Sequence, residues 1–176
     1  EFVFLEGLKE LIRIEKDWVK KGKGNALYIR PFMIATGLGV TASPSSEYRF
    51  CILLSPAKSY YSGEVKVVIA DHYSRAANGG IGAAKAAGNY AGQFYPTKLA
   101  NEKGFQQIIW TDDATHTKLE EAGTMNVWVR IGDTLYTAPT SERILDGVTR
   151  KSLINLAQHL GMKVEIRSVL VDELVE

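Results

Sequence analysis

One lysine stands alone in a long uncharged stretch. Between Arg75 and Lys98 lie 22 residues, among which Lys85 is the one charge, where ordinary composition would place roughly five. Its neighbours, Gly82-Ala-Ala-Lys85-Ala-Ala-Gly88-Asn89-Tyr90, are small enough to let another group approach the backbone and offer no nearby carboxylate in sequence. Such a lysine is a candidate for burial. Burial disfavours the ammonium form, and the neutral amine attacks a carbonyl carbon, so a Schiff base is the chemistry suggested here. The alternative is a lysine that reaches solvent from a small-residue helix.

Other glycine-rich chemistry is excluded by spacing. A nucleotide phosphate loop needs glycine before its lysine and a hydroxyl after it, and both positions here are alanine. A dinucleotide fingerprint needs a third glycine that does not follow Gly80 and Gly82. Further on, Glu121-Ala-Gly-Thr-Met-Asn126 offers a carboxylate and two hydrogen-bonding side chains, or simply a solvated loop glutamate beside Glu120. Gly147-Val-Thr149 opens a helical pattern, where free amides and a threonine hydroxyl suit an anion, or where Thr149 is an ordinary cap. Arg30, within Leu27-Tyr-Ile-Arg-Pro31, either faces water or reaches into a pocket. His72, His116 and His159 are too dispersed for metal coordination and read as surface or capping residues. The single Cys51, in an apolar run, reads as a buried structural thiol and excludes a disulfide scaffold.

These residues must be positioned by a chain of 176 residues, 45% apolar and 23% charged, which suits one soluble domain or pieces of two. Twenty-one basic against 20 acidic residues leave a net charge of +1, so no global field attracts nucleic acid or a membrane surface. No apolar run approaches a membrane span. Periodicity predicts an amphipathic helix over 5–19 and strands over 26–35, 48–55 and 64–70. Residues 55–63, rich in turn formers, read as an interdomain linker. A small-residue helical segment follows Gly82 and ends near Gly104. Strands are expected over 106–111, 124–131 and 134–138, the last two joined as a hairpin at Gly132-Asp133. A helix with Thr149 as its cap and Gly161 as its stop, then a strand over 163–169, complete an α+β or mixed α/β plan.

Taken together, Leu27-Tyr-Ile-Arg-Pro31, Lys85-Ala-Ala-Gly-Asn-Tyr90, Glu121-Ala-Gly-Thr-Met-Asn126 and Gly147-Val-Thr-Arg150 resemble the branched-chain amino acid aminotransferases, pyridoxal-phosphate enzymes of fold type IV. The resemblance covers essentially the whole chain. It implies that Lys85 carries pyridoxal 5′-phosphate, that Tyr90 bonds the cofactor phenolate oxygen, and that Glu121 pairs with the pyridine nitrogen. Val148 and Thr149 are implied to hold the phosphate, and Arg75 matches an arginine near the cofactor. Thr124 is implied to help hold the substrate carboxylate. Tyr28 and Arg30 match residues lining the substrate pocket, and Tyr60 and Tyr61 match the loop that closes over it.

The same resemblance implies a domain plan: the C-terminal part of a small substrate-binding domain over 1–54, an interdomain loop over 55–63, and a large pyridoxal-phosphate domain over 64–176. Family members begin well upstream, with an arginine for the cofactor phosphate, and continue into a glycine-threonine loop, so the sequence reads as an internal fragment. The implied reaction transfers an amino group between leucine, isoleucine or valine and 2-oxoglutarate. The small-molecule partners are therefore amino acids and 2-oxo acids, and the resemblance suggests a homodimer when complete. A cytoplasmic setting is expected on a separate ground: Glu1-Phe-Val-Phe-Leu-Glu6 carries no basic-plus-apolar signal region, so nothing marks secretion. Rival readings are D-amino acid aminotransferase and aminodeoxychorismate lyase of the same fold, or a catalytically inert fragment.

Overall fold

The computed structural model describes residues 2–58 and 63–174. The chain falls into two compact units, Glu1–Gly63 and Glu64–Glu176.

In the N-terminal unit, α1 (Phe2–Glu15) turns a half-buried side of Phe4, Leu8, Leu11 and Ile12 inward. It does not run on to Val19. A 3-10 turn over Lys16–Trp18 closes it, with the Val19 amide donating to the Lys16 carbonyl at 3.2 Å. β1 (Ala26–Ala35) and β2 (Tyr48–Ala57) form an antiparallel two-stranded ladder from Ala26↔Ala57 to Ala35↔Tyr48. β2 outruns its expected end at Ser55, with Pro56 still opposite Leu27. Each strand of a two-stranded ribbon has a free edge, so the missing proline N–H costs no ladder bond there. Two strands cannot enclose both faces, and Cys51 is accordingly half-buried instead of fully buried. Strand alternation sets Tyr28 and Arg30 on one face, both exposed, with the Arg30 Cζ 5.0 Å from the Tyr28 ring centroid.

The C-terminal unit is a mixed α+β structure. β3 (Val67–Ile69) is followed by α2 (Gly88–Ala91), α3 (Phe94–Glu102), β4 (Gln107–Thr111), β5 (Leu119–Ala122) and β6 (Met125–Asn126). Then come β7 (Val129–Ile131), β8 (Thr134–Thr137), α4 (Val148–His159) and β9 (Lys163–Ile166). The first sheet has the order β3-β4-β5-β6, parallel at β3/β4 and antiparallel beyond. The second has the order β7-β8-β9, with α4 crossing between its parallel pair. Ala70, Ala100, Ile108 and fully buried Trp110 form the core under α3, with Val68 and Phe105 against it. The β7–β8 hairpin turns at Gly132-Asp133 as expected, with Gly132 at φ +58.

Further expectations need correction, beginning with the strand over 64–70, which is confined to Val67–Ile69. The small-residue stretch is not a helix from Gly82: the Asn89 side-chain amide donates to the carbonyls of Ile81 (2.8 Å) and Ala84 (2.9 Å), which pins 81–87 as a compact loop before α2. The expected strand over 124–131 is two strands in different sheets, parted at Val127-Trp128, where the Thr137 hydroxyl takes the Val127 carbonyl at 2.9 Å. The strand after α4 stops at Ile166, beyond which the Arg167 amide donates to Thr137 and the chain leaves the sheet.

Candidate active site

β5 carries two adjacent glutamates, and all four of its residues are buried. Neighbouring strand residues face opposite ways, so Glu120 and Glu121 need separate partners. Glu120 accepts from Arg143 Nε at 2.5 Å, and Arg143 also reaches Asn78 and lies 3.6 Å from Asp113. Glu121, 4% exposed, pairs through Oε2 with Arg75 Nε at 3.3 Å. Its Oε1 accepts from the Leu145 amide and from Asn126 Nδ2 at 3.3 Å, while the same Asn126 nitrogen donates to the Leu145 carbonyl at 2.9 Å. A carboxylate has about four acceptor sites. The two hydrogen bonds fall on Oε1, while Oε2 meets Arg75 as an ion pair and accepts no hydrogen bond among the described residues, so its acceptor capacity is open. Burial pushes the Glu121 carboxyl above the ordinary carboxylate range, against the opposing pull of Arg75, the Leu145 amide and Lys85.

Lys85 sits on the loop pinned by Asn89, just before α2, and is exposed, so of the two readings open to it burial is the one that fails. Flanking alanines and glycines are too short to cover a lysine, so the side chain opens on a cleft. Its Nζ stands 5.1 Å from the ring centroid of Tyr90, the third residue of α2. The loop is stitched to the segment 141–145: Ala83 N donates to the Glu142 carbonyl at 2.8 Å, and Gly79 N to the Glu142 carboxylate at 2.8 Å. Arg75 donates to the carbonyls of Gly82 (3.0 Å) and Arg143. Gly82 is required at this crossing, since a Cβ there would meet Ala76 Cβ at 2.6 Å and Arg143 Cα at 2.7 Å.

α4 begins beside these groups. Gly147, in extended conformation (φ −68, ψ 135), occupies the cap position, and Thr149 is the second helical residue, not the cap. Among the described residues no side chain caps this end, and no acidic residue stands in its first turn. Its uncapped amides and the partial positive charge of the helix end form an anion-binding arrangement.

Glu121 with its partners Arg75, Asn126 and Leu145, the Lys85–Tyr90 pair and the start of α4 line one cleft of about 320 Å³ in the C-terminal unit. Lys85, Tyr90, Arg75, Glu121, Thr124, Val148 and Thr149, singled out from the sequence, are all on its wall. Trp128, Leu145 and Leu153 add apolar surface. Tyr28 and Arg30 belong to the N-terminal unit, and Tyr60 and Tyr61 lie outside the described residues. Sequence reasoning missed Leu145, whose contribution is a backbone amide, and gave Asn126 no partner. It also left Arg150 without a role, although a cation in the first turn of a helix opposes the helix dipole and is itself a signal.

The family described as amino-transferase class IV matches residues 4–176. The chain is 45% identical over 179 residues to the branched-chain-amino-acid transaminase 1 of Bacillus subtilis strain 168, covering 98% of this chain and 50% of that protein. It resembles the crystal structure of the Escherichia coli branched-chain amino acid aminotransferase with a TM-score of 0.75 and 26% identity, over 94% of this chain and 56% of that one. An aminotransferase from Brucella abortus, bound to the co-factor PLP, shares the fold with a TM-score of 0.79 at 23% identity, over 97% and 60% of the two chains. The chain spans about half the length of the curated relatives it matches.

Proposed function

The chain belongs to the class IV amino-transferase family, and from that premise we propose that it carries the cofactor site of a pyridoxal-phosphate-dependent branched-chain transaminase. The proposed reaction moves an amino group reversibly between leucine, isoleucine or valine and 2-oxoglutarate. The observation that carries this reading is the convergence of a lysine amine, a buried carboxylate with open acceptor capacity on Oε2 and an uncapped helix end on one cleft. Relatives 43–45% identical to this chain bear branched-chain names, which favours those donors over a D-amino acid or aminodeoxychorismate substrate.

The donor set fits pyridoxal 5′-phosphate. Val148 and Thr149 would hold the phosphate with backbone amides and hydroxyl, and the open acceptor capacity of Glu121 Oε2 suits a protonated ring nitrogen. Tyr90, beside Lys85, would donate to the phenolate oxygen. When bound, the cofactor supplies an electron sink for the bond broken at the substrate α-carbon. Lys85 would hold the cofactor and would move a proton to or from that α-carbon. Glu121 keeps the proton on the ring nitrogen, and Arg75 keeps Glu121 in place. Thr124 is assigned to the substrate carboxylate. Trp128, Leu145 and Leu153 reduce access of water.

On the N-terminal unit, Tyr28 and Arg30 present an aromatic ring and a cation on one strand face, a pairing suited to both apolar and glutamate side chains. With Tyr60 and Tyr61 they are assigned to the substrate. The homodimer is carried from the family resemblance, and a cytoplasmic setting is the expectation for the complete enzyme. Among the described residues no helix is long and apolar enough to cross a membrane.

Borohydride reduction of the protein loaded with pyridoxal phosphate, followed by peptide mapping, tests the central assignment. The label is expected on Lys85, and a label on any other lysine sinks it. Amino-donor profiling tests the substrate class, with leucine, isoleucine and valine expected to exceed D-alanine.

A further inference from the structure

We propose that Arg150 supplies the counter-charge for the ligand's phosphate from the first turn of α4, an inference that rests on the pyridoxal-phosphate reading above. A cation near a helix N-terminus faces the positive end of the dipole and is unfavourable there. Arg150 nevertheless stands in the first turn of α4, 5% exposed, and lines the cleft. Among the described residues its side chain has one acceptor, the Ala138 carbonyl at 2.8 Å from a terminal guanidinium nitrogen. Its buried Nε has none.

The other two arginines of this region are treated differently. Arg75 is matched by Glu121 and Arg143 by Glu120, whereas no described carboxylate forms an ion pair with Arg150. Asp146, just ahead of the helix, is paired with Lys151 at 2.5 Å. A buried charge without a partner is strongly destabilising, so a site that retains one is built for an anion that arrives with a ligand. A phosphate at the uncapped amides of Val148 and Thr149 would neutralise both the helix end and the guanidinium. Arg150 also holds Ala138, the residue following β8, and so fixes α4 against the second sheet. That positioning role is independent of charge, and the experiment must separate the two.

Pyridoxal 5′-phosphate and pyridoxal differ by the phosphate alone, and Trp128 on the cleft wall supplies a fluorescence signal for binding. In the protein carrying this sequence, Arg150→Gln should weaken the phosphate form by about ten- to a hundredfold and pyridoxal by less than about twofold. Equal losses for the two ligands would make Arg150 a scaffold only and overturn the inference, as would a phosphate preference that survives Arg150→Gln. A wild type that binds neither ligand, or both equally, overturns the inference and the cofactor reading together. If Arg150→Gln does not fold, inorganic phosphate decides. It should protect the wild type and Arg150→Lys equally against thermal unfolding, since both carry the charge, and absence of protection in either overturns the inference.

Discussion

Arg75 Nε lies 3.3 Å from Glu121 Oε2, with the two side chains only 6% and 5% exposed. Desolvation consumes most of what such a pair gains, unless further hydrogen bonds satisfy both ions. Here they do. Arg75 also donates to the Gly82 and Arg143 carbonyls, and Glu121 also accepts from the Leu145 amide and Asn126. Three separate segments therefore converge on one carboxylate. The pair acts chiefly to fix its position, leaving acceptor capacity on Oε2 for a ligand.

Glu121→Gln is expected to retain cofactor binding and to lower turnover by about 10²–10³-fold, the scale of losing one preorganised electrostatic contact. An amide can still accept a hydrogen bond but cannot stabilise a positive ring nitrogen. Cofactor absorbance reports loading and initial rates report turnover. Normal turnover would reduce Glu121 to an architectural partner of Arg75.

Lys85→Ala should lower transamination to background, because no other amine occurs between Arg75 and Lys98. Lys85→Arg should not restore it, since guanidinium stays protonated at any working pH. Rates measured at saturating cofactor check this, and turnover above a few per cent of wild type in either variant removes Lys85 from the chemistry.

The helix start at 147–149 and the solitary Lys85 were legible because each is a local anomaly: a run of small residues, a glycine before a helical pattern. The burial of Glu121 was not. Two adjacent glutamates in a four-residue strand have low strand propensity, and their partners Arg143 and Arg75 are 23 and 46 residues away in sequence. The uncharged neighbours of Lys85 left burial and solvent exposure both open, and exposure follows because covering a lysine requires bulk, which alanine and glycine lack. The contribution of Leu145 is a main-chain amide, so no side-chain pattern announces it. Fold class was easier, since alternation and the Gly132-Asp133 hairpin depend on local spacing.

Gly82→Ala should destabilise the C-terminal unit by about 1–3 kcal/mol and weaken cofactor binding. The added methyl meets Ala76 Cβ and the Arg143 backbone, which are not flexible side-chain ends, so the Lys85 loop and the segment 141–145 must separate. That separation removes two carbonyl acceptors from Arg75. Gly92→Ala, at a helical conformation with its nearest neighbour at 3.9 Å, is the comparison and should be neutral or slightly stabilising. Thermal unfolding of the two variants decides, and equal melting temperatures would mean that the crossing at Gly82 tolerates a side chain.

Asp112 and the glutamates of β5 should bend the pH–stability curve in opposite directions. Burial pushes the Asp112 carboxyl up, but hydrogen bonds from the Lys118 amide, the Thr115 hydroxyl and amide, and the Thr117 amide outweigh it and hold it well below the ordinary carboxylate range. The folded form therefore favours the ionised group. Its contribution is present above the unfolded value of about 3.9 and is lost as pH falls further. Burial holds Glu120 and Glu121 above their ordinary values instead. Folding then favours their protonated forms, and that contribution declines as pH rises past about 4.3. Asp112→Asn should cost about 1–3 kcal/mol near neutrality, because its amide nitrogen faces donors, and should flatten the acid limb. Glu120→Gln should flatten the fall above about pH 4.3 and leave the acid limb intact. Denaturant titrations of ligand-free protein at several pH values check both limbs. An acid limb unchanged in Asp112→Asn would mean that this carboxylate does not organise the loop leading into β5.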